Sequence, residues 1–361
     1  MENLIRILLK VLKWGTIATV IFIVIVAIVH LVGRKLNNRT PDGGINETAF
    51  VDINGTKQWI NIYGEDKDAP VLLYLHGGPF SATSAVDWTC LRKLSKDYIV
   101  VNWDQRGCGH NYPKYKVESA PTSEDMIQDG VEMTDYLLGR FGKEKITLMG
   151  MSWGSILGSN LAFRYPEKYD AMIALSLVVD IEESQKLFKD YMLEKSEGDE
   201  EMHSIAESID PAVMNYSELQ RTSVLISKYG YYDDYFVDAD VNFLTTTFFN
   251  PYCTLGQDVR MIYGSPSYRE YVTKTLMPEP GAIIGPLGLT GKTEYKVPYY
   301  VLEGKKDYGN VTMADLAASY FDSIDAPDKK MEYVDGGHNA PMMKTEKLAE
   351  YIHEIAEKQK K

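Results

Sequence analysis

Apolar and polar positions divide the chain into distinct stretches. From Trp14 to Gly33 there is no charged residue, and Thr16 to Val32 consists mainly of Ile, Val, Ala and Leu. Twenty helical residues cover about 30 Å, the hydrocarbon thickness of a bilayer. Residues 1–33 are therefore expected to form a membrane anchor, with 14–33 in contact with lipid. The run closes Val-His-Leu-Val-Gly-Arg-Lys. No small-x-small cleavage site follows, which separates it from a secretory signal peptide. Residues 34–47 are polar and turn-rich, so a linker is expected there.

Beyond the linker, period-two and fully apolar runs alternate with helical periodicity. Phe50–Ile53 and Gln58–Tyr63 flank Asn54-Gly55, the signature of a tight hairpin. Val71–Leu75, Tyr98–Trp103, Ile146–Met149 and Ala171–Val179 are continuous apolar runs, as strands buried on both faces should be. Helices are predicted from Pro121 to about Phe141, where acidic residues suit the N-terminus, and from Trp153 to Arg164. Between about Ile181 and Lys296 strand signals thin out and Tyr, Met and acids accumulate, which predicts a helical insert. Alternation then resumes with strands at Tyr299–Leu302 and Lys330–Val334 and helices at Met313–Phe321 and Thr345–Lys358. Strands alternating with helices imply a mostly parallel sheet with helices on both faces. The organisation expected is anchor (1–33), linker (34–47), α/β core (48–180 and 297–361) and helical cap (181–296).

Charge sharpens this division. Residues 1–40 carry a net +5 within a chain whose formal charge is −13, so the remainder carries −18. An acidic body repels phosphates, and nucleic acid is not an expected partner. Basic residues flank the apolar run on both sides, so the positive-inside rule gives no orientation. An N-terminal anchor ahead of a large domain would leave a single-pass protein with its body outside the cell. Aromatic residues at 11% and hydrophobic residues at 45% exclude a disordered chain. The three cysteines, Cys90, Cys108 and Cys253, cannot form a disulfide framework. No His-x-x-x-His, Cys-x-x-Cys or Gly-x-x-x-x-Gly-Lys motif occurs, so neither a metal nor a cofactor is expected.

The strongest chemical signal is Gly150-Met151-Ser152-Trp153-Gly154, directly after a strand and before a helix. A serine on so tight a turn needs small residues two before and two after it, and the helix behind it aims N–H groups at the site. His76-Gly77-Gly78-Pro79 follows the strand at 71–75. Its glycines would let backbone donors reach a developing oxyanion. The expected donors are Gly78 (or Gly77) and Trp153. A histidine base and an acid should follow late strands. His338, in Asp335-Gly336-Gly337-His338, and Asp307, in Glu303-Gly304-Lys305-Lys306-Asp307, fit that order. Glu303 and Asp335 are the competing acids. Ser152, Asp307 and His338 are thus the candidate catalytic residues, with Gly78 and Trp153 as the candidate oxyanion hole.

These motifs, together with Asp104-Gln105-Arg106-Gly107-Cys108-Gly109, resemble the prolyl aminopeptidases (proline iminopeptidases) of the α/β-hydrolase superfamily. The resemblance covers roughly 48–180 and 297–360. It implies the α/β-hydrolase fold with a cap inserted after the sixth strand. It also implies a serine hydrolase that releases N-terminal residues from small peptides. An esterase or amidase for a small apolar substrate would use the same residues. The family usually has glycine where this chain has Phe80, whose ring would crowd the cleft or move the loop. The family's cap carboxylates pair with the substrate amine; Glu182 and Glu183, beside Asp180, are the candidates here. Cap tyrosines such as Tyr229, Tyr231, Tyr232 and Tyr235 would line a pocket or pack in the core.

Overall fold

The computed structural model describes residues 2–230, 240 and 242–360. Tyr231, Tyr232 and Tyr235 lie outside the described residues.

Among the described residues eight strands form one sheet: β1 (Ile45–Ile53), β2 (Thr56–Gly64), β3 (Val71–Leu75), β4 (Ile99–Asp104), β5 (Ile146–Met151), β6 (Tyr169–Leu175), β7 (Tyr299–Gly304) and β8 (Lys329–Val334). Their order is β1-β2-β4-β3-β5-β6-β7-β8. β2 pairs antiparallel with β1 and β4, and the remaining neighbours are parallel. The chain steps outward from β3 to β4, then returns to the other side of β3 as β5. The order therefore reverses between β3 and β5, and at such a point two strand ends open a crevice. Leu75 lies opposite Gly150 in this pairing, so the 76–79 loop and Ser152 emerge side by side.

The α-helices among the described residues are α1 (Glu2–Asn37), α2 (Trp88–Lys93), α3 (Ser123–Phe141), α4 (Trp153–Arg164), α5 (Ile181–Lys195), α6 (Glu200–Glu207), α7 (Tyr216–Tyr229), α8 (Phe243–Phe248), α9 (Leu255–Tyr263), α10 (Pro266–Tyr271), α11 (Pro280–Ile284), α12 (Ala314–Ser323), α13 (Ala340–Met343) and α14 (Thr345–Gln359). α3 starts on a capping box between Thr122 and Asp125 and stops at Gly142, which is left-handed at φ 60°. One face of the sheet is covered by α3, α4 and α12, through residues such as Met126, Ile127, Leu137, Ile156, Leu161 and Ala317. The other is covered by α2 and α14, whose Leu348, Tyr351, Ile352, Ile355 and Ala356 form one helical stripe. α5 to α11 lie between β6 and β7 and form the cap, with a small core of its own around Phe188, Met192, Ala206 and Leu225.

α1 is long and apolar enough to cross a membrane. Its leucines, isoleucines and valines lie exposed along most of its length. It runs on to Asn37, past the expected linker start at 34, and β1 begins at Ile45 inside the expected linker. Docking explains the extension. His30 Nδ1 donates to Phe248 O at 2.9 Å, and Asn37 Nδ2 donates to Phe249 O at 2.9 Å. A Cβ on Gly33 would sit 2.1 Å from Phe249 Cδ1, so glycine here permits a close helix contact and does not end the helix. Arg34 and Lys35 close the last turn, where the helix dipole favours cations.

Candidate active site

Ser152 connects β5 to α4 with φ 53° and ψ −120°, a conformation that few non-glycine residues adopt. The flanking glycines make the turn possible. A Cβ on Gly150 would lie 2.0 Å from Gly154 O, and one on Gly154 would lie 1.9 Å from Leu75 O. Backbone bonds hold the turn in place: Ser152 N donates to Leu175 O at 2.9 Å and Ser155 N to Ser152 O at 2.7 Å. Ser155 Oγ also donates to Ser152 O at 2.6 Å, and accepts from Val178 N at 3.0 Å. The elbow is thus tied to the end of β6.

Two loops meet opposite the serine. A Cβ on Gly304 would fall 2.1 Å from Gly337 O, which measures how closely the loops after β7 and β8 approach. Asp307 and His338 emerge from them, both buried. His338 Nδ1 donates to Asp307 Oδ2 at 2.9 Å. Thr312 Oγ1 donates to Asp307 Oδ1 at 2.7 Å and lies 3.1 Å from His338 Nδ1. Ser176 Oγ donates to His338 O at 2.6 Å. Nδ1 is thus the ring nitrogen engaged on the acid.

Burial alone would raise Asp307, but the His338 charge and hydrogen bond, then the Thr312 bond, hold it below the usual carboxylate range. Glu303 is the reverse case. It lies fully buried in β7, accepts from Leu177 N at 2.9 Å, and is pushed well above its ordinary value, first by burial and then by the Asp307 charge. Two acids so close cannot both ionise readily, and of the pair Glu303 holds its proton the more tightly. Asp335, the other competitor, is exposed and paired with Lys305.

The 76–79 loop is built by the Asp104-Gln105-Arg106 segment. Gln105 N donates to His76 Nε2 at 3.3 Å and Gln105 Nε2 to His76 O at 3.4 Å. Gln105 Oε1 accepts from the Trp153 indole at 2.9 Å, so one amide links the loop to the start of α4. Arg106 forms a buried fork on Asp129, which also accepts from Gln58 at 2.8 Å. Cys108 is buried against His76, and burial pushes its thiol well up, as a packing residue requires.

Ser152 stands between two cavities. One of about 160 Å3 is lined by Ser152, His338, Gly77, Gly78, Tyr74 and Asp87, among others. The other, about 170 Å3, is walled by Ser152, Gly78, Trp153 and apolar cap residues including Met214, Leu219, Met277 and Ile284. The structure therefore brings Ser152, His338, Asp307, Gly78 and Trp153 to one place.

Phe80 is not at that place. It adopts φ 61°, which explains a family preference for glycine, and its ring is buried in the core and lines neither cavity. Tyr268 Oη donates to its carbonyl at 2.7 Å. Glu182 and Glu183 are also misplaced by the sequence reading. They sit exposed in the first turn of α5, paired with Lys186 at 3.0 and 2.8 Å, where acids favour the helix dipole. Thr312, Ser176 and Glu303 in its buried role carry no motif that sequence reading could use. Among the described residues one surface trio, Asp97, His353 and Glu357, holds its ligand atoms within 4.8 Å of one another; it shares no residue with either cavity.

This sheet, cap and serine elbow define the α/β-hydrolase fold, and residues 70–220 match the α/β-hydrolase-fold family. A Bacillus subtilis protein named Probable aminopeptidase YbaC is 34% identical over 147 residues, 41% of this chain and 46% of that protein. A proline iminopeptidase of Lactobacillus delbrueckii subsp. lactis is 28% identical over 109 residues, 30% of this chain and 36% of its own length. The chain spans less than half the length of these curated relatives. Among solved structures, a proline iminopeptidase of Mycobacterium smegmatis superposes with TM-score 0.57 at 16% identity, covering 87% of this chain and 98% of that one. A membrane phospholipase A superposes with TM-score 0.55 at 16% identity, covering 98% and 99%. Both likenesses are of fold.

Proposed function

We propose that this chain is a serine hydrolase, anchored in a bilayer through α1, that releases N-terminal residues from short peptides. Ser152 is the nucleophile, His338 the general base and Asp307 the residue that orients it. The observation that carries this reading is the 2.9 Å bond from His338 Nδ1 to Asp307, in loops opposite a serine held at φ 53°. Ser152 Oγ attacks the scissile carbonyl and passes its proton to His338 Nε2. The resulting oxyanion is held by the N–H groups of Gly78 and Trp153. His338 returns the proton to the leaving amine as the C–N bond breaks, leaving an acyl-enzyme. Water, deprotonated by the same imidazole, then releases the acid and restores Ser152.

The peptidase assignment draws on the aminopeptidase relatives and on the Asp104–Gly109 segment. A second reading, an esterase, is favoured by the apolar wall of the 170 Å3 cavity. Proline and leucine β-naphthylamides against p-nitrophenyl butyrate separate the two. Turnover of the amino-acyl amides supports the peptidase, and turnover of the ester alone rejects it. Flotation of the full chain with liposomes, lost when residues 1–37 are removed, tests the anchor.

A further inference from the structure

Ser152 lines two cavities, and His338 borders the one of about 160 Å3 but not the apolar one of about 170 Å3. In acyl transfer the histidine hands its proton to the leaving group. The His338 cavity therefore takes the leaving side of a substrate, and the apolar cavity takes the acyl side. A third cavity, of about 350 Å3, continues on the leaving side. Ser81 and Thr83 line both it and the His338 cavity, whereas none of its described lining residues borders the apolar one. Among the described residues of its wall, Arg260 is the one charged group. We infer that Arg260 binds the C-terminal carboxylate of the leaving peptide, which makes tripeptides the preferred substrates; this deepens the aminopeptidase reading and rests on it.

The fold holds Arg260 in that wall. It lies in α9, which starts on a capping box between Thr254 and Gln257. Asn250, buried, ties α9 to the facing 81–86 wall: its Nδ2 donates to Asp258 Oδ1 at 3.2 Å and to Ala85 O at 3.0 Å. Tyr268, also in the wall, is fixed by its bond to Phe80 O. The Arg260 guanidinium lies half-buried, 5.8 Å from the centre of the Tyr112 ring. Among the described residues no carboxylate forms an ion pair with it. A guanidinium stays charged at every pH the protein meets, and its fork of donors matches the two oxygens of a carboxylate. A C-terminal amide removes the charge and turns one acceptor into a donor that faces those donors.

The lengths select the peptide. A sphere of the His338 cavity's volume is roughly 7 Å across, and one of the Arg260 cavity's volume is roughly 9 Å across. An extended chain advances at most about 3.3–3.6 Å per residue. Two residues after the scissile bond therefore cross the first cavity and bring the carboxylate into the second. A dipeptide substrate, with one leaving residue, falls short.

The test uses the full chain in detergent and two substrates that differ only at the C-terminus, Pro-Ala-Ala and Pro-Ala-Ala amide, with proline β-naphthylamide as the reference. Wild type should favour the free acid in kcat/KM, and Arg260→Gln should reduce that preference about 10-fold, chiefly through KM. Fluorophosphonate labelling reports that the variant's site is folded. Should Arg260→Gln fail to label, wild type alone decides: the product Ala-Ala should slow labelling of Ser152 at concentrations where Ala-Ala amide does not. With proline β-naphthylamide cleaved, three results overturn the assignment of Arg260: a wild type that treats the two tripeptides alike, a preference that survives in Arg260→Gln, or equal protection by the two dipeptides. A wild type that hydrolyses p-nitrophenyl butyrate but none of the three amino-acyl amides overturns the aminopeptidase reading itself.

Discussion

Replacing Gly154 by alanine adds a single methyl group where the fold has no room for it. The new Cβ would lie 1.9 Å from Leu75 O, 2.6 Å from Leu75 C and 3.0 Å from His76 O. Ordinary contact needs about 3.5 Å, so the overlap is about 1.5 Å, and the obstacle is main chain that has no rotamer to change. β3 cannot yield alone, because it is paired on both sides by β4 and β5. Relief must come from α4, which carries Trp153 and follows Ser152 directly. Overpacking a core typically costs about 1–3 kcal/mol, and a clash between main-chain atoms belongs at the upper end. About 3 kcal/mol corresponds to a fall in Tm of roughly 6–12 °C. A shift of about 1 Å at the nucleophile would also slow its chemistry about 100-fold. The assay pairs thermal melts with the rate of fluorophosphonate labelling. Gly139→Ala is the control: it is exposed in α3, its added Cβ meets nothing within 4 Å, and it should be neutral or gain up to about 1 kcal/mol. An unchanged Tm together with an unchanged labelling rate in Gly154→Ala would refute the argument that these glycines exist to let the elbow approach β3.

Other outcomes follow from neighbouring contacts. Glu303→Gln mimics the protonated acid, and it should retain activity. Because Glu303 titrates higher in the folded protein than in the unfolded chain, wild type loses stability as pH rises through that value. The Gln variant should therefore melt above wild type at alkaline pH and level with it near pH 5; equal melting at both would remove the buried proton from the account. Asp307 has the opposite sign, so its contribution is lost as pH falls through its lowered value. Asp307→Asn should flatten the acid limb of the Tm–pH profile, and a wild-type-like limb would count against the His338 pairing. Arg92 Nη2 donates to Asn37 O at 2.6 Å and Tyr252 Oη at 3.0 Å, with its guanidinium 4.4 Å from the Tyr63 ring centre. Arg92→Ala should cost about 2 kcal/mol and speed limited proteolysis between α1 and β1. Unchanged cutting would show that this contact does not hold α1 to the body.

Much of the architecture was legible because the alternation of buried strands and amphipathic helices is a local signal. Val71–Leu75 and Trp153–Arg164 fall where periodicity puts them. The elbow was legible for a different reason: Gly150 and Gly154 are demanded by backbone clashes that leave a fixed spacing. The end of α1 was not, because Gly33 reads as a helix breaker until Phe249 is packed against it. Phe80 misled because one position cannot reveal that its ring turns into the core. Glu182 and Glu183 misled because an acid that favours a helix N-terminus looks, in sequence, like one that binds an amine. Thr312 acquires meaning only through its contact with His338, which is distant along the chain.

The proposed mechanism makes Ser152 a nucleophile activated by His338 and Asp307. Peptide mapping of the full chain after reaction with a fluorophosphonate tests it most directly. A single adduct on Ser152 is expected, with no adduct in Ser152→Ala and labelling at least about 1,000-fold slower in His338→Ala. An adduct on another residue, or His338→Ala labelling at the wild-type rate, would contradict it.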